Sequence, residues 1–326
     1  MKVITFPGQG TPVALNVFRS YLAEGSSAFR AVFRDSGRIG VTRTIEQRPA
    51  DPVSIAACSF LLFDLYRRSR KNNAEELLFL GHSLGELGCL GAGNRLFGLS
   101  ETMKIASLRN KLMINAAGGN KYELWAISAP RSQNLECELQ PLLRVTDVNL
   151  ANVNSRMQCV VTVPQGYTTD SKGTPQWAAE LALQVPRCRI QRLENPYHIP
   201  FHNKNILQGI EEPLLDHMWQ KLKSQGLHTK RELEHPIISN LNGKRITDVD
   251  KALESFAKSS CNVVNFVACC DTLNSLGVSK AVHIGPGEVI GKLMHRNCKL
   301  EKSQEWNTVE DITKELGDVQ DSNSLE

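Results

Sequence analysis

Leu77-Leu78-Phe79-Leu80-Gly81-His82-Ser83-Leu84-Gly85-Glu86, residues 77–86, decides how the chain is read. A compact apolar run of strand length, Leu77 to Leu80, leads straight into Gly-x-Ser-x-Gly. That pattern carries chemistry when a strand precedes the serine and a helix follows it. The glycines relieve crowding in a tight turn. The turn lifts the serine oxygen off the sheet edge to a helix N-terminus, where free N–H groups and the dipole stabilise developing negative charge. Ser83 is therefore the candidate nucleophile. His82, adjacent on so sharp a turn, is expected to point elsewhere and to be structural.

Working outward, residues 2–6 read as a short strand that stops at Pro7-Gly8-Gln9-Gly10, and residues 13–33 as helical. Val53, Ala56, Ala57, Leu61, Leu62 and Leu65 predict a helix over 52–71, apolar on most sides and so buried. Ser100 is placed as the cap of a helix reaching about Asn115, with Ile105, Leu108 and Leu112 inward. Residues 121–196 change character. Strands are expected at Glu123 to Ser128, Asp147 to Val153, Cys159 to Val163 and Cys188 to Leu193, with helices at Leu135 to Leu143 and Trp177 to Gln184. That β-α-β-β-α-β order is the pattern of a ferredoxin-like unit. It predicts an α/β fold with a small domain at 121–196 inserted between the two halves of a main domain, 1–120 and 197–326. Val282 to Ile284 reads as a late strand ending in Gly285-Pro286-Gly287, a turn that helps to close the site. The polar, acidic end is expected to carry a short helix over Val309 to Leu316 and then disorder.

Composition limits the function classes. Hydrophobic residues make up 41% of the 326, enough for a large core. Lys plus Arg is 38 against 34 Asp plus Glu, a net charge of +4 that argues against a nucleic-acid binder. It suits partners that carry negative charge. Nine cysteines, none in a CxxC pair, suggest a reducing compartment. No signal peptide or transit peptide is visible, and no apolar run is long enough for a membrane span. The basic run Arg67-Arg68-Ser69-Arg70-Lys71 reads as a solvated helix end, with docking of an acidic protein the lesser alternative.

Further blocks stand in order along the chain: Phe6-Pro7-Gly8-Gln9-Gly10, Gly81 to Glu86, Ala151-Asn152-Val153-Asn154-Ser155, Pro200-Phe201-His202, Ile238-Ser239-Asn240-Leu241-Asn242-Gly243 and Gly285-Pro286-Gly287. This ordered set resembles the malonyl-CoA:acyl carrier protein transacylases. Arg109-Asn110-Lys111-Leu112-Met113 and Asn195-Pro196-Tyr197 to Asn203 look most like the fungal mitochondrial branch. The resemblance implies an α/β-hydrolase-like main domain with a parallel sheet and the inserted ferredoxin-like domain. It implies ping-pong transfer of malonyl from malonyl-CoA through a serine ester to the phosphopantetheine thiol of acyl carrier protein, supplying type II fatty acid synthesis in the mitochondrion. Coenzyme A thioester is then a substrate, no cofactor or metal is called for, and a monomer is expected.

Residue by residue, the resemblance makes His202 the base, because a serine hydroxyl is a poor nucleophile until a neighbour takes its proton. Arg109 would grip the malonyl carboxylate through parallel hydrogen bonds. Without the resemblance, Arg109 reads as a solvated helix residue beside the inward Leu108. The backbone N–H groups of Gln9 and Leu84 would form the oxyanion hole, and Phe201 would crowd a 2-alkyl branch. His198 is placed near the base, and Pro200 argues against a helical H-x-x-x-H metal pair. The family often has Asn-Pro-Val where this chain has Asn262-Val263-Val264, so Asn262 is the nearest match for the carbonyl that orients the histidine. Asn203 and Leu87 also depart from the common pattern. The rivals are a serine hydrolase, which would need His283 or His295 with an acid partner, and a non-enzymatic carrier-protein binder. A domain cut from a polyketide synthase is a third variant.

Overall fold

The computed structural model describes residues 1–69, 76–166, 176–227 and 232–322. Strands β1 (Lys2–Phe6), β2 (Leu77–Gly81), β7 (Glu232–Ile238), β8 (Arg245–Asp248), β10 (Lys280–Ile284) and β11 (Lys302–Trp306) form one sheet in the order β11-β10-β1-β2-β7-β8. All its neighbours run parallel except β7 and β8. The sheet is covered on both faces, and the side-chain alternation shows why. Ile4, Phe6 and Phe79 face a core built with helix Pro52–Ser69, while Val3, Leu78, Leu80 and Ala281 face the opposite core with helices Phe266–Ser275 and Val289–Asn297.

The second sheet contains β3 (Tyr122–Ser128), β4 (Asn149–Ser155), β5 (Gln158–Pro164), β6 (Arg189–Leu193) and β9 (Val264–Asn265), in the order β6-β3-β5-β4-β9. Helices Leu135–Val145 and Gln176–Gln184 pack on one face of it, through Leu135, Leu139, Leu142, Trp177 and Leu181. The α/β class, the parallel main sheet and the βαββαβ order of the smaller unit are as the sequence predicts. One strand is not. β9 comes from beyond residue 197, yet it pairs in parallel with β4 through Asn152 to Val264 and Val153 to Asn265. The small sheet is thus stitched to the larger one by a strand of the chain that returns from it.

Several local expectations are corrected. The helical stretch at 13–33 is two helices, Leu15–Ala23 and Ser27–Phe33, separated around Gly25. Helix Leu99–Ala116 begins one residue before Ser100 and is capped by the extended residue Gly98. The C-terminal helix runs Val309–Ser322, past the expected stop at Leu316, and residues 323–326 lie outside the described part. Of the basic run, Arg70 and Lys71 lie outside the described residues, as does the end of the helix predicted over 52–71. Arg67 and Arg68 are tied down: with Arg38 they surround the buried Asp64 carboxylate at 2.9–3.3 Å. The nine cysteines are free, and seven of them are buried. No described helix is long and apolar enough to cross a membrane.

Candidate active site

β2 ends at Gly81 and a short helix, Gly85–Gly88, starts within one turn, so Ser83 sits on the sharp corner the motif requires. Its φ of +50° is in the left-handed region. A non-glycine residue there costs on the order of 1–3 kcal/mol and must be held by its surroundings. The holding groups are visible. Ser83 N–H donates to Asn240 Oδ1 at 2.7 Å, and Asn240 Nδ2 donates to the Gly81 carbonyl at 2.6 Å. Gly85 has to be glycine, since a Cβ would press into the Phe6 carbonyl of the neighbouring strand.

His202 also has a positive φ, +59°, in the turn after Pro200. Its Nε2 lies 2.9 Å from Ser83 Oγ. Its Nδ1 lies 2.9 Å from both the Ser259 and the Asn262 carbonyl oxygens. Both of these can only accept, so Nδ1 carries the proton and bare Nε2 accepts from the serine hydroxyl. The two carbonyls belong to the C-terminal end of helix Val249–Cys261, where the last carbonyls lack intrahelical partners and the dipole is negative. That end favours an imidazolium, the charge a base develops when it takes the serine proton. Burial first, and the Arg109 charge second, push the resting His202 down to about 3.

Arg109 projects from helix Leu99–Ala116 and is 1% exposed. Nη2 donates to Ser83 Oγ at 3.2 Å, Nε donates to Ser260 Oγ at 2.9 Å, and the guanidinium lies 6.0 Å from the Phe256 ring centre. Burial lowers it to about 10, which leaves it a cation at neutral pH. The reading of Arg109 as a solvated helix residue, which the resemblance set aside, is therefore corrected.

The Pro7-Gly8-Gln9-Gly10 loop packs against the elbow so closely that a Cβ on Gly8 would lie 2.7 Å from the His82 carbonyl. Gly285 also packs on this loop, where a Cβ would lie 2.5 Å from the Pro7 ring. Gln9, Ser83, Phe201 and His202 line one cavity together with Leu124 and Asn152 of the small sheet. It adjoins a cleft of about 570 Å³ between the two sheets. Leu84 is buried at the start of the helix that follows Ser83. The Phe201 ring centre is 6.4 Å from that of His202. The Asn262 carbonyl reaches His202 although Val263 stands where the family often has proline. His82 Nε2 donates to Asn154 Oδ1 on β4 at 2.9 Å, which makes it a strut between the sheets even as it lines the cavity. His198 lines a neighbouring cleft with Tyr122 and Asn195.

Ser83, His202, Arg109, Gln9, Leu84, Phe201 and Asn262 are thus gathered at one place. Sequence reasoning gave no role to Asn240, to the Ser259 carbonyl or to the Ser260 hydroxyl. Asn240 lies in a block that drew notice, but nothing local marks its side chain as the anchor of Ser83. The hydrolase alternative loses its histidines. His283 is bonded to Thr5 Oγ1 at 2.7 Å and Ser303 Oγ at 2.9 Å, and the His295 ring lies beside it. Among the described residues, no group of three or more His, Cys, Asp or Glu side chains is placed to hold a metal ion.

The chain is 37% identical to the mitochondrial malonyl CoA-acyl carrier protein transacylase of Saccharomyces cerevisiae, over 96% of this chain and 97% of the relative. The chain belongs to the malonyl CoA-acyl carrier protein transacylases. No protein-family model matches it. Among solved structures, this transacylase is similar in fold to the malonyl-CoA:acyl carrier protein transacylase of Helicobacter pylori, with a TM-score of 0.78, 19% identity and 98% of each chain covered. It is also similar to a malonyl-transacylase solved in complex with a type II polyketide synthase acyl-carrier protein, with a TM-score of 0.72, 18% identity, and 97% of this chain and 99% of that one covered.

Proposed function

We propose that this transacylase moves malonyl from malonyl-CoA to the phosphopantetheine thiol of acyl carrier protein, in the mitochondrion and for type II fatty acid synthesis, through an ester on Ser83. The observation that carries the reading is the convergence of His202 Nε2 and the buried Arg109 Nη2 on Ser83 Oγ, at 2.9 and 3.2 Å. In the first half-reaction Ser83 Oγ attacks the thioester carbonyl carbon and its proton passes to His202 Nε2. The carbon–sulfur bond breaks, and the coenzyme A thiolate leaves with that proton. In the second, the pantetheine thiol gives its proton to His202 and attacks the ester, and Ser83 takes the proton back. Negative charge that develops on the carbonyl oxygen falls to the N–H groups of Gln9 and Leu84. The Ser83 N–H is not available for this, because it is already given to Asn240.

Arg109 selects the acyl group. A malonyl carboxylate can take the guanidinium in two parallel hydrogen bonds, whereas acetyl leaves a buried cation unpaired. Burial does most to hold His202 down and the Arg109 charge adds to it; the carboxylate offsets that second part, so the correct substrate makes its own base stronger. Phe201 narrows the cavity beside the base against a 2-alkyl branch. We assign residues 1–120 and 197–326 to the catalytic unit and 121–196 to the inserted unit, with β9 joining the two.

Intact mass spectrometry after brief exposure to malonyl-CoA, with acetyl-CoA in parallel, tests the reading. Native protein should gain one malonyl group, Ser83→Ala none, and added carrier protein should collect it. No adduct, or one lost to water as fast as to carrier protein, would overturn the transfer.

A further inference from the structure

Glu86 is buried, 2% exposed, inside the site's supporting wall. A buried carboxylate is costly unless both oxygens are satisfied. Here they are satisfied by two different parts of the fold. Oε1 accepts from the Asn240 backbone N–H at 3.0 Å, and Oε2 accepts from the Ser259 hydroxyl. Each partner is one step from a reacting group. Asn240 holds the Ser83 backbone through its side chain, and the Ser259 carbonyl holds His202 Nδ1. The oxygens of Glu86 therefore lie between the support of the nucleophile and the support of the base. The helix Gly85–Gly88 that carries Glu86 is the same one that ends the serine turn.

We propose that Glu86 is a positioning residue for malonyl transfer: its carboxylate sets the distance between Ser83 and His202 by tying Asn240 to Ser259. This rests on the proposed roles of Ser83 and His202. A purely structural carboxylate would act on stability alone. A positioning one acts on the rate of the chemical step and leaves malonyl-CoA binding in place, because the Arg109 guanidinium is held by the Ser260 hydroxyl and not by the Ser259 hydroxyl that Glu86 engages. Glu86→Gln is the informative change. Its amide oxygen still accepts from Asn240, but its NH₂ group can only donate, so the Ser259 hydroxyl must give its proton to the Phe256 carbonyl, 3.1 Å away, and its tie to a charged oxygen is lost.

The test is the rate and concentration dependence of Ser83 malonylation, read by rapid quench and intact mass, in native protein, Glu86→Gln, Ser259→Ala and the double variant. Near-attack geometry is sensitive enough that a small misplacement costs about a hundredfold. The expected result is a fall of about tenfold to a hundredfold in the maximal rate of Glu86→Gln, with half-saturation by malonyl-CoA unchanged and the unfolding midpoint close to native. Ser259→Ala should lose a similar factor, and the double variant no more than Ser259→Ala alone, since one link has been cut from either side. A native rate in both folded single variants overturns the inference, as do losses that multiply in the double variant. If Glu86→Gln does not fold, Ser259→Ala decides by the same split of maximal rate from half-saturation. A native protein that takes up no malonyl overturns the transfer reading and the inference together, whereas a native adduct with unaffected variants overturns the inference alone.

Discussion

The nucleophile and its base are held in place by different means. Ser83 is placed mainly by neighbours in sequence: a strand that ends at Gly81, a helix that starts at Gly85, and glycines that allow the turn to close, with one distant side chain, Asn240, holding its N–H. His202 is placed by residues from elsewhere in the chain, the carbonyls of Ser259 and Asn262 at the end of helix Val249–Cys261. Both have positive φ, so both depend on surroundings that hold them against strain. The difference lies in the supports. A local support is written in consecutive residues. A distant one exists only after the fold has formed.

The largest expected effect comes from emptying the second arm. His202→Ala leaves the Ser83 hydroxyl with no proton acceptor at Nε2. A general base of this kind contributes about 10²–10⁴ in rate. Single-turnover malonylation should fall by about that factor, with the protein still folded by circular dichroism. A loss below tenfold would place the proton with another group and dissolve the contrast between the two arms.

That contrast also explains what could be read from the sequence. The elbow was legible because β2 is an apolar run and the turn residues follow it. The small unit was legible because its strands and helices alternate cleanly over residues 121–196. β7, β8 and β11 were not. β7 reads Glu-Leu-Glu-His-Pro-Ile-Ile, with a proline that has no N–H for the ladder, and its pairing with β8 is irregular between Glu232 and Ile237. β8 and β11 are the sheet's two edges, and β11, Lys-Ser-Gln-Glu-Trp, buries only Trp306 fully. Ser259 and Ser260 look like ordinary helix residues. Only the fold turns one carbonyl to His202 and one hydroxyl to Arg109. The base itself was found through a family resemblance, because a histidine after Pro-Phe has no local mark of catalysis.

Arg109 offers the next largest effect and sharpens the comparison, because it touches the nucleophile yet is anchored to the same helix end that holds the base. Arg109→Ala removes the cation that would face the malonyl carboxylate. Truncating one partner of a buried, hydrogen-bonded charge pair costs about 2–5 kcal/mol. Loading from malonyl-CoA should drop accordingly in kcat/KM, while loading from acetyl-CoA should change little or rise, so the preference between the two collapses. An unchanged malonyl-to-acetyl ratio would remove Arg109 from the selection of substrate.

The smallest effect is expected at the strut between the sheets. His82 follows the local logic of the elbow, but its ring reaches out to Asn154 on β4, and it is partly buried there with its pKa pushed down, mainly by desolvation. Asn154→Ala deletes the acceptor and leaves a partly buried imidazole N–H unpaired, which costs about 1 kcal/mol. The serine arm should keep its own geometry, since Asn240 and the glycines remain. The denaturant midpoint should therefore fall while the maximal rate of Ser83 malonylation stays within about twofold of native, a change of less than about 0.5 kcal/mol in the barrier. A large loss of rate at native stability would show that the small sheet positions Ser83 through His82. The nucleophile would then depend on distant supports as much as the base does, and the two arms would differ less than their sequences suggest.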